Sequence, residues 1–297
     1  MVSNHIMTRG KLPAFPRLSK KVVCFANRDL ELMGAIKNQL EFGYGVDCVT
    51  YFLEKSFPES MLATKIWNQD AAIILPKLST DHQKNPRIYT AIEAAGVPTI
   101  NNLFSIRLCE NRKLTFMFLQ KNLPFVKIPK FYLSVKDAKR ALQHGQKIIV
   151  KRNSHHVAHQ LRCLGIAEDI RGLNRIAELV PKDEMFLQEY LGSCMNTIYK
   201  VYFIGTAVMA LKCVKEDVFA ERNSSDFQER YQLSLSLLQG FRQIGQHLKM
   251  HVYGLDYLIA PDGLPYLIDV NDFPSYRGIE EAVQLLCEFI YENYFIV

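Results

Sequence analysis

From Lys20 to Asn102 the apolar positions fall in short runs that alternate with stretches of helical spacing. Val22–Ala26, Val46–Phe52 and Ala71–Leu75 read as strands, and Asp29–Leu40, Ser60–Trp67 and Pro86–Ala95 as helices between them. Val97–Ile100 is a candidate fourth strand, weakened by Pro98, which cannot donate to a ladder. Alternating β and α units predict a parallel sheet covered by helices. The first strand is followed by Ala26-Asn27-Arg28-Asp29 and not by GxGxxG, so a dinucleotide site has no motif behind it.

Asn101-Asn102 marks a boundary. Beyond it, Ile106–Gln120 reads as a helix, Phe125–Leu133 as extended chain and Val135–Leu142 as a short helix. Lys147–Arg152 and Phe186–Tyr190 read as strands, Ile198–Leu211 as a strand pair, and Gln232–Lys249 and Ile279–Phe295 as helices. Two apolar runs flank Ala260-Pro261-Asp262-Gly263, a hairpin signal. A turn centred on Asp262-Gly263, or a four-residue loop Pro261–Leu264, puts Asp256 opposite Asp269, with Asn271 on the same face. The expected organisation is an N-terminal arm over 1–19, an α/β unit over 20–104, a central unit over 105–190 and a C-terminal unit over 191–297.

Composition changes this picture little. The chain has 297 residues, 48% hydrophobic and 22% charged, as an ordinary globular protein does. No apolar run has membrane-spanning length, and Met1–Ser19 lacks the apolar core of a secretory signal. The seven scattered cysteines include no CxxC, which fits a reducing, cytoplasmic setting without disulfides or structural zinc. A formal charge of +6 suits a small anionic ligand and is too weak to argue for nucleic acid. No membrane partner is expected, and the chain is expected to be a monomer.

The hairpin carries the sharpest chemistry. Two carboxylates placed opposite each other repel. With an amide beside them they form a hard-oxygen set suited to Mg2+ shared with substrate phosphates. The plainer alternative, solvated acids on a hairpin, fits poorly because both acids sit inside apolar runs. Lys151 ends the strand Ile148-Ile149-Val150, where an ammonium can meet phosphate, although on this signal alone a solvated strand end is the better reading. Lys200 shares a strand face with Ile198, Tyr202 and Ile204, either needing a partner in a site or protecting an edge strand. His155, His156 and His159 cluster after Lys151 without a matching zinc-ligand set; they can donate to an anion or simply form a polar loop. Gln188-Glu189-Tyr190 closes a strand whose backbone can meet an adenine edge while Glu189 reaches a ribose hydroxyl, although by itself the segment reads better as an ordinary strand end leading into a loop. A Ser-His-Asp hydrolase has no GxSxG support.

Taken in order, these pieces resemble the ATP-grasp superfamily and, within it, the inositol 1,3,4-trisphosphate 5/6-kinases. The resemblance runs over Ile106-Arg107 with Asn111-Arg112-Lys113, over Ile198–Gly205, over Gly254-Leu255-Asp256 and, most specifically, over Asp269-Val270-Asn271-Asp272-Phe273-Pro274-Ser275-Tyr276-Arg277-Gly278. It implies an ATP-grasp fold of class α/β (α+β) behind a Rossmann-like N-terminal unit, with ATP and Mg2+ as cofactors. It implies that Arg107, Lys151 and Lys200 contact ATP phosphates or the inositol phosphate, that Gln188, Glu189 and Tyr190 form the adenine hinge, and that Asp256, Asp269 and Asn271 bind the metal. Lys77, His159, Lys200, Asn271 and Ser275 would meet the acceptor, with Lys151 and Lys200 catalytic. Ser275 stands where that family has glycine, and the segment after Lys151 lacks glycines.

Three functions follow. The first is a kinase transferring the γ-phosphoryl group to a hydroxyl of an inositol phosphate or related polyol phosphate. The second is a carboxylate–amine ligase of the RimK or glutathione-synthetase type working through an acyl phosphate; such ligases usually carry Glu-x-Asn where this chain has Asp269-Val270-Asn271. The third is an ATP-binding module without catalysis.

Overall fold

Three sheets and eight helices are set out in a computed structural model that describes residues 20–53, 70–78, 85–154, 157, 162–192, 197–214 and 227–296. The first sheet is parallel, in the order β2-β1-β3, from β1 (Lys21–Ala26), β2 (Cys48–Phe52) and β3 (Ala71–Lys77). Helices α1 (Leu30–Gly43) and α2 (Asn85–Ala95) belong to this α/β unit, as the alternating pattern predicts. The expected helix Ser60–Trp67 lies outside the described residues. The expected fourth strand is reduced to one bridge between Ile74 and Thr99. Pro98 has no N–H to extend the ladder; its carbonyl accepts from Ile74 N at 2.9 Å and Ile100 N donates back to Ile74 O at 3.1 Å.

The helix expected over Ile106–Gln120 is two helices, α3 (Leu103–Cys109) and α4 (Arg112–Asn122). Asn111 makes the break: it is extended, and its side chain accepts from Leu114 N at 3.0 Å, capping a fresh start. A four-stranded antiparallel sheet follows in the order β4-β7-β5-β6, from β4 (Phe131–Tyr132), β5 (Ile148–Arg152), β6 (Cys163–Ala167) and β7 (Met185–Glu189), with α5 (Val135–Gln143) and α6 (Ile170–Ala177) against one face. The third sheet, order β10-β9-β8-β11-β12, is antiparallel throughout. It comprises β8 (Thr197–Ile204), β9 (Ala207–Val214), β10 (Phe227–Arg230), β11 (Val252–Ile259) and β12 (Pro265–Asn271), with α7 (Leu235–His247) packed on it.

The last helix, α8 (Ala282–Tyr294), returns to the beginning. Its Leu286, Cys287 and Ile290 share one buried cluster with Val22, Cys24 and Ala26 of β1 and Met33, Ile36 and Leu40 of α1. Burying these side chains at about 1.5–3 kcal/mol each ties the two ends of the chain together. The six described cysteines are all free, in keeping with the reading of their scatter.

Asn101 makes the polar counterpart of that tie. It is buried, its Oδ1 accepts from His251 N at 3.1 Å and Val252 N at 3.0 Å, and its Nδ2 donates to the carbonyls of Val252 and Asp272. One amide thus pairs four backbone groups of the strand β11 start and the β12 exit. Asn101→Ala removes the partner of all four, three of them on buried Val252 and Asp272, so it is expected to lower stability by about 2–4 kcal/mol. Urea denaturation checks this; an unchanged midpoint contradicts it.

Candidate active site

The cleft lies between the second and third sheets, with the turn after β1 and the loop after β12 contributing residues to its lining. Its geometry starts from the hairpin. Ile259 pairs with Pro265, Leu258 with Tyr266 and Tyr257 with Leu267, so the connecting loop is Ala260–Leu264, one residue longer than the sequence pattern suggests. A bulge at Ile268 then restores the offset, and Asp256 does face Asp269 while Gly254 faces Asn271. The extra residue has a use. The carbonyl of Ile268 accepts from Lys151 Nζ at 3.1 Å, a bond that crosses from the second sheet to the third.

Two cations hold the facing carboxylates. Lys200 pairs with Asp256 across the β8–β11 ladder, and its Nζ donates to Asp256 Oδ2 at 2.8 Å. Lys200 is therefore a partnered lysine on an inner strand, not an edge guard. Arg112, the first residue of α4 and only 3% exposed, grips Asp269 in a two-pronged fork, Nε to Oδ1 at 3.2 Å and Nη2 to Oδ2 at 3.1 Å. Its Nη1 donates to the carbonyls of Arg152 and Ser154 at 2.7 and 3.0 Å. A carboxylate has about four lone-pair positions; on Asp269 the fork uses two and the Val270 N–H, which donates to Oδ1 at 3.2 Å, a third. The fit to a divalent ion is thus good in donor chemistry: hard oxygens from Asp256, Asp269 and Asn271 lie in one cross-strand patch on the cleft wall.

The opposite wall fits a nucleotide. Lys151 Nζ donates to Gln188 Oε1 at 3.0 Å as well as to Ile268 O, which uses two of its three donors. Burial lowers the Lys151 pKa, and the neighbouring Asp269 opposes that shift. Gln188 is 1% exposed, and its Nε2 has no hydrogen-bond partner among the described residues, an orphaned donor on the wall of the cleft. Glu189 and Tyr190 line the same wall, but their backbone N–H groups donate to Lys130 O and Lys147 O at 2.7 and 2.8 Å. Those two amides serve the sheet, so a hinge contact from this segment must use its carbonyls, its side chains or the amide of Leu191.

The structure brings Lys151, Gln188, Glu189, Tyr190, Lys200, Asp256, Asp269, Asn271 and Ser275 together. His159 lies outside the described residues. Two residues of the expected set lie elsewhere. Arg107 sits on an exposed face of α3, where Nη2 donates to Glu93 Oε2 at 3.0 Å. The helix break at Asn111 explains the correction: the basic residue this segment offers to the cleft is Arg112. Lys77 is wholly buried behind the cleft, where its ammonium meets the carbonyls of Phe273 and Pro274 and pairs with Asp29 at 3.2 Å. It holds the loop after β12 to the first sheet and has no surface to offer an acceptor. Arg28, Asp29, Arg162 and Arg277 also line the cleft. The sequence pattern gave no sign of Arg28 or Arg162: Arg28 stands in the turn after β1, which has no periodicity to mark it, and Arg162 immediately before β6.

No family model matches the chain, and no curated protein matches it in sequence. Solved structures do match it in shape. The Bacillus anthracis D-alanine–D-alanine ligase complexed with ATP superposes with a TM-score of 0.67 at 16% identity, over 93% of this chain and 96% of that one. The chain has the ATP-grasp fold. The ATP-grasp ligase PsnB complexed with minimal precursor, Mg and ADP gives 0.65 at 16% identity, over 94% and 98%. A RimK domain ATP-grasp protein from Sphaerobacter thermophilus gives 0.65 at 16%, over 91% and 98%. Within this ATP-grasp fold no helix among the described residues is long and apolar enough to cross a membrane.

Burial pushes the Lys77 pKa down from the ordinary 10.5 to about 7. The unfolded chain then binds more protons than the folded one between about pH 7 and 10.5, so this lysine makes stability rise with pH across that window. Lys77→Met is expected to flatten the rise. Urea denaturation of both proteins at pH 7 and pH 9 measures it; equal slopes contradict the account.

Proposed function

We propose that this chain is a Mg2+- and ATP-dependent carboxylate–amine ligase. The observation that carries the reading is the cross-strand pair Asp256/Asp269, held by Lys200 and Arg112 in a cleft that also contains Lys151 and the orphaned Gln188 amide. The choice of a ligase is supported by the likeness to ATP-grasp ligases, which extends over more than nine-tenths of both chains and so includes the N-terminal α/β unit.

The nucleotide lies with its base against Gln188–Leu191 and its phosphates toward Lys151 and Lys200. Asp256, Asp269 and Asn271 would hold Mg2+, which would supply charge to offset that of the phosphate oxygens. The acceptor carboxylate oxygen attacks the γ-phosphorus and the bond to the β,γ-bridging oxygen breaks, leaving ADP and an acyl phosphate. An amine then attacks the acyl carbon, loses a proton and expels inorganic phosphate, forming an amide. Lys151 and Lys200 stabilise the charge in flight, and positioning supplies much of the remaining rate. Arg112 acts at one remove by fixing Asp269.

A second reading, transfer to a hydroxyl of an inositol phosphate or related polyol phosphate, draws on the segment Asp269–Gly278 and on the cations Arg28, Arg162 and Arg277 at the cleft. An ADP-release assay with Mg-ATP separates the two. Under the ligase reading, pairs of carboxylic acids and amines stimulate release, and hydroxylamine traps a hydroxamate. Stable transfer of label from γ-labelled ATP to an inositol phosphate, with no response to acid–amine pairs, replaces it with the kinase. In either case Lys200→Ala is expected to cut turnover by about 100-fold or more while the fold survives; near-normal turnover contradicts the role of Lys200.

A further inference from the structure

Two arginines on the cleft wall have no part in the steps above. Arg28 follows β1 in the turn before α1, with 14% of its side chain exposed, and its Nε donates to Leu78 O at 2.9 Å. Arg162 stands immediately before β6, and its Nε donates to Val157 O at 3.0 Å. Each guanidinium is thus tethered to the backbone through its inner nitrogen, which leaves the pair of terminal nitrogens for another partner. For Arg28 the sole carboxylate among the described residues is Asp29, at a loose 3.7 Å, and Asp29 already pairs with Lys77 at 3.2 Å. For Arg162 the described residues offer the terminal nitrogens no hydrogen bond. A guanidinium with its terminal edge available matches the two oxygens of a carboxylate or phosphoryl group.

Their place in the fold sets them apart from the hinge segment Gln188–Leu191. In the second sheet β5 has β7 on one side and β6 on the other, so Gln188 of β7 and Arg162 at the head of β6 flank Lys151 from opposite directions. Arg28 comes from the first sheet, beside the junction where Lys77 meets the carbonyls of Phe273 and Pro274, and next to these Ser275 and Arg277 line the cleft. Burial is the largest cost to the Arg162 charge; Asp269 and Asp29 favour that charge, while Arg112 and Arg28 oppose it as like charges. An anion between the two tethered groups relieves that repulsion.

We propose that Arg28 and Arg162 form an oxyanion subsite for a second anionic group of the acceptor, distinct from the oxygen that attacks ATP. The inference rests on the reading that an acceptor binds in this cleft, and it specifies that acceptor as bearing at least one further carboxylate or phosphoryl group.

Isothermal titration of the full chain with succinate, succinamide and inorganic phosphate, each with and without Mg-AMPPNP, tests it. Succinate or phosphate is expected to bind and the neutral succinamide not to. Arg28→Gln and Arg162→Gln are each expected to weaken the anion by about tenfold or more while leaving Mg-AMPPNP affinity unchanged. Tighter binding of succinate than phosphate assigns a carboxylate to the subsite, and the reverse order assigns a phosphoryl group; both support it. Equal binding of succinamide, anion affinity unchanged in both variants, or a parallel loss of Mg-AMPPNP affinity overturns it. If Arg162→Gln loses the near-ultraviolet circular dichroism of the wild type, Arg28→Gln and the charge discrimination of the wild type decide the matter. Anion binding without acceptor-stimulated ADP release removes the ligase reading and leaves the subsite standing; acceptor-stimulated release with anion affinity untouched by both variants does the opposite.

Discussion

The repulsion between Asp256 and Asp269 is the constraint around which the rest of this structure is arranged. The β11–β12 ladder fixes the two carboxylates opposite each other on one face, where neither can turn away without losing the register. Each is met by a cation from a different place: Lys200 from the neighbouring strand, Arg112 from the head of a helix that is distant in sequence. Removing either cation would leave a partly buried charge without its partner, a loss of several kcal/mol in comparable settings. The same four charges offset one another across the cleft and supply the oxygen ligands and ammonium that a Mg-nucleotide site requires.

Long-range polar ties carry this arrangement outward. Lys151 reaches the carbonyl exposed by the Ile268 bulge, joining the second sheet to the third. Asn101 pairs with the backbone at Val252 and Asp272, and Lys77 with the carbonyls at Phe273 and Pro274, so the loop after β12 is held at three successive residues, by Lys77 of β3 and by Asn101 from the chain just before α3. Together with the shared apolar cluster of α1, β1 and α8, these ties give the loop a fixed position over the cleft. Gly254 assists: a side chain there would crowd Pro274, so the absence of one lets the loop lie close on the sheet.

Much of this was legible in the order of the residues, and the exceptions have physical causes. The parallel sheet followed from period and punctuation, and the Asp256–Asp269 pairing from the turn signal, although a longer loop and a compensating bulge produced it. Bulges leave no mark in hydrophobic alternation, so the contact from Lys151 to Ile268 O could not be read. Arg112 stood in plain view beside Arg107, but choosing between them required knowing that Asn111 would cap a new helix. The resemblance to the inositol phosphate kinases implied that Lys77 meets an acceptor; its partners are carbonyls almost two hundred residues away, which only the fold brings near. Arg28 lies in the turn after β1 and Arg162 immediately before β6, where position in space and not position in sequence gives a side chain its meaning.

The central claim is that the facing carboxylates bind a nucleotide through Mg2+. Its most direct test is isothermal titration of AMPPNP with and without Mg2+, on the wild type and on Asp269→Asn. The account predicts that Mg2+ tightens binding to the wild type by about tenfold or more and has no such effect on the variant, whose near-ultraviolet circular dichroism stays native. Equal affinity with and without Mg2+ in the wild type, or an undiminished Mg2+ effect in Asp269→Asn, would contradict it.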